Sequence, residues 1–401
     1  MKRWSLLFLL VCAFLAGQTV GAADAPKAPP AGAQEAAKPA TPPAKADTAK
    51  TPPAATTGTP SAGAAAAMDP ELRTKAKRAT DNGLHYLREH QAPDGSWSNS
   101  VGVTALALRS FLESHRNYNE SDGPFMTRAV RFILDHANED GSISETKTQN
   151  GNYNTATAIT ALQATNNPAY AETIKKAQDY IKKLQADEGD GYAPDHKFYG
   201  GIGYGGSERP DLPNTAMALE ALKVTGVDAN DPVWKKAQVF INRCQNRTES
   251  NDQQWAANDG GYTYRPGENP HGGTGSYGGM NQTGLISLLF AGVDKQDPRI
   301  QAAHDWIRAN YTLDENPSVK GQHGLFYYYN VFAKSMYAYG EPELTDPNGG
   351  KHNWRNDLAK KLISLQAPDG SWVNTASTRW WEGDKNLVTA WSVIALDQVV
   401  R

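Results

Sequence analysis

The sequence predicts an all-α protein, an (α/α)6 toroid of six helical-hairpin repeats, preceded by a signal peptide and a disordered Ala/Pro-rich linker. Three observations carry this expectation. The string QAPDGSW occurs at residues 91–97 and again at 366–372, and an identical internal repeat points to a repeat architecture before any other. Each copy follows an amphipathic helical pattern and precedes a second, more apolar one. The same two-part unit can be traced four more times, which makes six pairs.

The segments before the repeats read differently. Residues 1–22 have a basic start (Lys2, Arg3), an apolar run from Leu6 to Leu15 and small residues at Val20-Gly21-Ala22, the pattern of a cleaved secretory signal. That run is too short for a settled membrane span, and Val11 before Cys12 is a poor neighbour for lipid attachment. Residues 23–67 contain Ala, Pro, Thr, Gly and Lys without a large apolar side chain. Such a stretch buries too little to offset its ordering entropy and is expected to be an extended tether. The folded part is then 68–401. The net charge of −3 argues against a nucleic-acid partner. Cys244 is the one cysteine after the signal, so no internal disulfide is expected. Its place on the stripe Ala237, Phe240/Ile241, Cys244 suggests a buried thiol.

Within the repeats the two helix types differ. First helices carry a solvated face, as Lys175, Lys176, Asp179, Lys182 and Lys183 do around Ala177, Tyr180, Ile181 and Leu184. Second helices are nearly apolar all round, as in Thr157-Ala158-Ile159-Thr160-Ala161-Leu162. A helix without a polar face is buried on most sides. The second helices should therefore form an inner ring, brought close by residues such as Ala105, Ala107, Ala158, Ala161, Ala216 and Ala218, and the first helices an outer ring. Gly95, Gly141, Gly191 and Gly370 follow acidic residues just after outer helices and are expected at positive φ. Trp97 and Trp372 should dock against neighbouring helices as structural staples.

The paired strings YLREHQAPDGSW and LISLQAPDGSW resemble the QW-type repeat of the squalene/terpene cyclase and protein prenyltransferase superfamily, over essentially all of residues 70–400. The resemblance implies an α/α toroid whose central cavity holds an isoprenoid or similar apolar chain. It also implies catalytic residues, which must be sought one at a time. Hopene-type cyclases protonate an alkene with an acid in a D-x-D-D-T-A motif at the start of an inner helix. The matching stretch here is Asp211-Leu212-Pro213-Asn214-Thr215-Ala216. The first Asp and the Thr-Ala are kept, but the proton-donor position is Pro213 and the last Asp is Asn214. The D-C-T-A-E alternative is missing. The prenyltransferase zinc set is missing too: Asp384 is present, but Val388 stands where the resemblance implies a His, and LFYYYNVFAKS offers neither Asp nor Cys. No metal and no cofactor is expected. His271 and His323 have no partner at ligand spacing.

The inner-helix starts converge on one face of a toroid, so polar and aromatic residues should gather at its mouth. The ligand-binding candidates are Tyr204, Asp211, Asn214, Asn281, Gln282, His323, Tyr327, Trp380, Trp381 and Asp384. Tyr153, Asn154, Tyr277, Glu382 and Asn386 belong to the same region. A long insert at 246–280 brings Tyr262, Tyr264, Tyr277 and His271, which are expected to fold over the mouth. The weak catalytic candidates are Asp211, Asp384 and Glu208. Asp211 is equally read as a residue that caps or precedes the third inner helix, with Asn214 as its N-cap. The expected function is an exported binding or scaffold module, periplasmic or extracellular, with an apolar or peptide ligand in its cavity and a possible cell-envelope partner reached through the linker. Two enzyme readings stay open: a terpene cyclase with a displaced carboxylate, and a polysaccharide-active enzyme pairing Asp211 with Glu382 or Asp384.

Overall fold

The structure, a computed structural model, describes residues 68–145, 150–205 and 208–401. The expected signal peptide and linker lie outside the described residues. The chain divides into two units, Met1–Thr57 and Gly58–Arg401, and everything described belongs to the second.

Among the described residues there are twelve α-helices and one two-stranded antiparallel ribbon, β1 (Leu344–Thr345) with β2 (Lys351–His352). The first helices of the pairs are α1 (Pro70–Glu89), α3 (Pro124–Asp135), α5 (Ala171–Lys183), α7 (Pro232–Cys244), α9 (Pro298–Ala309) and α11 (Trp354–Leu365). The second helices are α2 (Val101–Glu113), α4 (Gly151–Ala164), α6 (Leu212–Val224), α8 (Gly278–Phe290), α10 (Leu325–Tyr339) and α12 (Lys385–Val400). Each second helix packs on the next, α2 on α4 and so on to α12, and α12 packs back on α2. The first helices lie outside this cycle, and α11 packs on α1 to close the outer layer. This is the predicted double ring. α12 shows why the inner helices read as uniformly apolar, since every residue from Leu387 to Val400 is buried.

The repeated turn locks each pair to the next through backbone atoms. After an outer helix the chain takes up a left-handed glycine: Gly95, Gly141, Gly200, Gly260 and Gly370 have φ from 82° to 95°. A Cβ on any of them would lie 1.8–2.7 Å from a backbone carbonyl of the following outer helix. At Gly370 that carbonyl belongs to Asn82 of α1, so the last turn meets the first helix. A glutamine joins the same two elements. Gln91, Gln185, Gln245 and Gln366 each donate to the carbonyl of their own turn glycine and to one on the next outer helix. Two residues past each glycine sits a buried side chain, Trp97, Ile143, Ile202, Tyr262 or Trp372. The indoles of Trp97 and Trp372 donate to Leu87 O and Leu362 O, at 2.7 and 2.8 Å. They are structural staples, as expected.

Two details differ from the sequence reading. Gly191 does have positive φ, but nothing surrounds its Cβ position; the equivalent of Gly95 in the third pair is Gly200, displaced by an insertion. Tyr262 is no lid residue: it occupies the staple position and lies fully buried against Gly284 of α8. Cys244 is buried as expected.

Gly370→Ala should destabilise the fold by roughly 2–4 kcal/mol, because strain at positive φ adds to a collision with backbone. Gly191→Ala, with open space around it, should cost only about 1 kcal/mol. Urea unfolding of the two variants reads the difference directly.

Candidate functional site

The inner helices start at one end of the ring, and their first turns surround a cavity of about 310 Å³. Helix α2 contributes Val103, α4 Tyr153, α6 Pro213 and Met217, α8 Met280, α10 Tyr327, and α12 Leu387 and Trp391. The apolar pairs Pro213 and Met217 of α6 and Leu387 and Trp391 of α12 lie four residues apart, so each of these helices turns one apolar stripe toward the axis. Loops add Tyr204, Tyr264, Tyr277, Trp380 and Trp381. Below, a second space of about 50 Å³ shares Tyr153, Met217, Tyr327 and Trp391 with the cavity as a common waist.

The lower end is closed by ion pairs. Arg109 of α2 bonds Glu113 and, at 3.1 Å, Glu220 of α6. Glu220 also takes Lys334 of α10, at 2.5 Å. Helices α2, α6 and α10 are alternate members of the ring, so these pairs cross its middle. Burial favours the neutral carboxyl of Glu220, but Lys334 and Arg109 hold its pKa down at about 2. The cavity is therefore a cup with an open rim and a charged, self-paired floor.

The carboxylates proposed from sequence do not face this cup. Asp211 is fully buried and is itself the N-cap of α6, accepting from Asn214 N at 2.8 Å and from the Asn214 amide at 3.0 Å. Asn214 is thus the third residue of the helix rather than its cap. Burial pushes the Asp211 pKa up to about 6, against the pull of the Asn214 and Tyr264 hydrogen bonds and of Arg265, 3.9 Å away. Asp384 caps α12 by accepting from Leu387 N at 2.9 Å. Glu208 is exposed. Glu382 caps a helix not its own: Gly324 starts α10 without a side chain, and Glu382 accepts from Leu325 N and Tyr327 N at 3.0 and 2.8 Å, with Asn374 at 2.6 Å. Burial raises its pKa.

Of the other candidates, Tyr204, Asn214, Tyr327, Trp380 and Trp381 line the cup. Asn281 and Gln282 do not. Both are buried between helices, Asn281 donating to Ala303 O of α9 and Gln282 accepting from Ser335 of α10. His323 sits beside the rim, 2.6 Å from Ser377 Oγ and edge-on to Trp380. His271 packs edge-on to Tyr277. Among the described residues no group of three or more His, Cys, Asp or Glu is placed to hold a metal ion.

The rim has one strained feature. Trp380 and Trp381 are consecutive bulky residues at φ 55° and 67°, a backbone state that costs about 1–3 kcal/mol each. The Arg379 guanidinium lies 4.8 Å over the Trp380 ring and donates to Pro270 O of the long insert. Trp381 remains 64% exposed at the rim. Sequence reasoning missed Val103, Met217, Met280 and Trp391. The signal was the step of three or four residues from the helix starts, but it is invisible in helices apolar on every side.

Residues 100–267 match the family described as the squalene-hopene cyclase C-terminal domain. Among solved structures, a variant of the type II terpene cyclase MstE from Scytonema, in complex with geranylgeranyl dihydroxybenzoate, superposes with a TM-score of 0.51 at 11% identity, over 82% of this chain and 99% of that one. Another MstE variant, in complex with merosterolic acid A, gives 0.51 at 11% identity over 82% and 97%. A protein from Actinoplanes gives 0.52 at 14% identity over 81% and 100%. The chain has the fold of the squalene/terpene cyclase superfamily. In the cyclase motif the middle acid delivers the proton. Pro213 stands at that motif position here, and Pro213 lines the cup. At the position where the resemblance implies a proton-donating acid, the cup is lined by a side chain with no proton to give.

With a folded-state pKa above its unfolded value near 3.8, Asp211 binds its proton more tightly in the folded protein. Its contribution to stability is therefore greatest below about pH 4 and is lost as pH rises through 6. Relative to Asp211→Asn, which keeps a capping side chain, the wild type should lose on the order of 2 kcal/mol between pH 4 and 7. Denaturant titrations of both proteins across that range check the slope.

Proposed function

We propose that this protein is a non-catalytic binding module, a terpene-cyclase-like ring whose cup holds an apolar ligand. One observation carries the reading: above the self-paired floor, no Asp, Glu, His, Cys, Lys or Arg among the described residues lines the cup. Its wall is made of aromatic rings, Met, Leu, Val and Pro, and most of its amides are already engaged. Asn154 bonds Ser144 and Glu145, Asn214 bonds Asp211, and Asn316 bonds Gly279 N and His323 O. A cavity of about 310 Å³ lies at the small end of the range for ligand sites. Protonation of an alkene needs an acid in contact with it. Glycoside cleavage needs two carboxyls facing the scissile bond. Asp211, Glu382 and Asp384 are instead occupied as helix caps. Export is part of the proposal, on the strength of residues 1–22, with residues 23–67 tethering the ring near the cell envelope.

The purified protein, incubated with squalene and with linear isoprenoid diphosphates, should yield no cyclised product. One cyclised product by mass spectrometry sinks the non-catalytic reading. Native mass spectrometry with lipid extraction should recover an apolar molecule in near-stoichiometric amount, and Met217→Trp, which fills the waist of the cup, should remove it. N-terminal sequencing of protein from the producing cell should begin after about residue 22; an intact Met1 start contradicts export by cleavage.

A further inference from the structure

Polar atoms on the cup wall narrow the ligand class, and this inference rests on the binding reading above. Buried aromatic donors elsewhere in the ring are commonly paired with backbone carbonyls. The indoles of Trp97, Trp234, Trp354 and Trp372 donate to Leu87, Asp228, Glu341 and Leu362. The phenols of Tyr328 and Tyr329 donate to Thr312 and Leu313. On the cup wall the pattern breaks. The Tyr153 and Tyr277 hydroxyls and the Trp391 indole N–H have no hydrogen-bond partner among the described residues, although Tyr277 and Trp391 are only 3% and 8% exposed. Trp255 and Tyr262 also lack partners, but their polar atoms are sealed in packed protein. Those of the three cup residues are not sealed, and all three side chains line the cavity, Tyr153 and Trp391 at the waist it shares with the lower space.

We propose that the cup selects an apolar molecule that carries carbonyl or ether oxygen, because its buried wall offers three unpartnered donors and no charged or carboxylate acceptor. An indole N–H only donates, and a phenol facing an oxygen donates to it. Without a ligand, polar groups open to a cavity can be served by water. A pure hydrocarbon that displaces the water leaves each donor unsatisfied, and that loss is larger than the gain from a normal hydrogen bond. A ketone, ester, ether or quinone of the same shape replaces the lost bonds. An amide or alcohol also brings donors of its own, for which the wall offers the phenol oxygens, already used when they donate to the ligand, and Asn150 at the exposed rim.

Isothermal titration calorimetry with geranylacetone, an isoprenoid ketone, against the hydrocarbon of the same skeleton tests this. Each hydrogen bond gained is worth roughly 2- to 12-fold in affinity, so the ketone should bind about 10-fold more tightly or better. In Tyr153→Phe/Tyr277→Phe, which keeps both rings, the preference should fall below about 3-fold, with Trp391→Phe removing the remainder. The hydrocarbon should bind these variants more tightly than the wild type, because the donors it would strand are gone. Equal binding of the two probes to the wild type overturns the inference and leaves the binding module standing. A ketone preference that survives all three substitutions also overturns it. Failure of both probes to bind overturns the binding reading as well.

Discussion

A ring of helical hairpins stands or falls on whether the sixth pair docks on the first. Here that docking is made by the device seen at four of the five internal steps, a left-handed glycine set directly on the backbone of the next outer helix, with the bridging glutamine that accompanies it at three of them. With no side chain between them, the elements meet at backbone distance, and that distance sets the angle through which each pair is turned. Repeat arrays that stay open must cap their terminal units with a polar face. A closed ring has no ends, and α12 can be buried along almost its whole length because α1, α2, α10 and α11 surround it.

Closure leaves a hole along the axis, and the two ends of that hole are treated differently. At the C-terminal ends of the inner helices, Arg109, Glu220 and Lys334 reach across and neutralise one another. Charges in this position are costly to desolvate, and full pairing makes them tolerable. At the N-terminal ends no charge of the described residues enters the hole. The positive ends of the inner helices are answered within the wall by Asp211, Glu382 and Asp384. The result is a neutral aromatic cup over an ionic floor. The strained Trp380–Trp381 step fits this division, since it turns two indoles toward the rim.

Much of the fold was legible in the sequence, because it rests on local patterns. QAPDGSW contains the glutamine, the turn glycine and the staple tryptophan of one step, and two intact copies announce the rest. The intermediate steps are harder to place because the same geometry accepts Ile143, Ile202 or Tyr262 as the staple and tolerates insertions before the glycine, so Gly191 resembles the turn glycine more closely in sequence than Gly200 does. The cup was only partly legible. Aromatics in loops, such as Tyr204, Trp380 and Trp381, stood out as unusual there. Met217, Met280 and Trp391 did not, since in a helix apolar all round nothing marks the axial face. Asn281 and Gln282 were misplaced for the same reason: their polarity suggested a mouth, but Asn281 is turned to an outer helix and Gln282 to a neighbouring inner one.

The stretch from Asp211 to Ala216 shows how a functional motif and a structural one can share letters. Its Thr-Ala pair recurs at Thr104-Ala105, Thr155-Ala156 and Thr389-Ala390, in other inner helices of the same ring. In all four the threonine hydroxyl accepts from the backbone N–H at the staple position, that of Trp97, Ile143, Ile202 or Trp372. The Thr-Ala of a cyclase acid motif is therefore what an inner helix of this ring needs in order to hold its turn. Asp211 is likewise accounted for as a cap whose oxygens are all engaged. Leu212 stands at the motif's unspecified position, so once those requirements are subtracted two letters are left to report on chemistry. Those are Pro213, which faces the cup, and Asn214, whose amide is turned to Asp211. A motif in a repeat protein is evidence of activity only in the letters that the repeat itself does not demand.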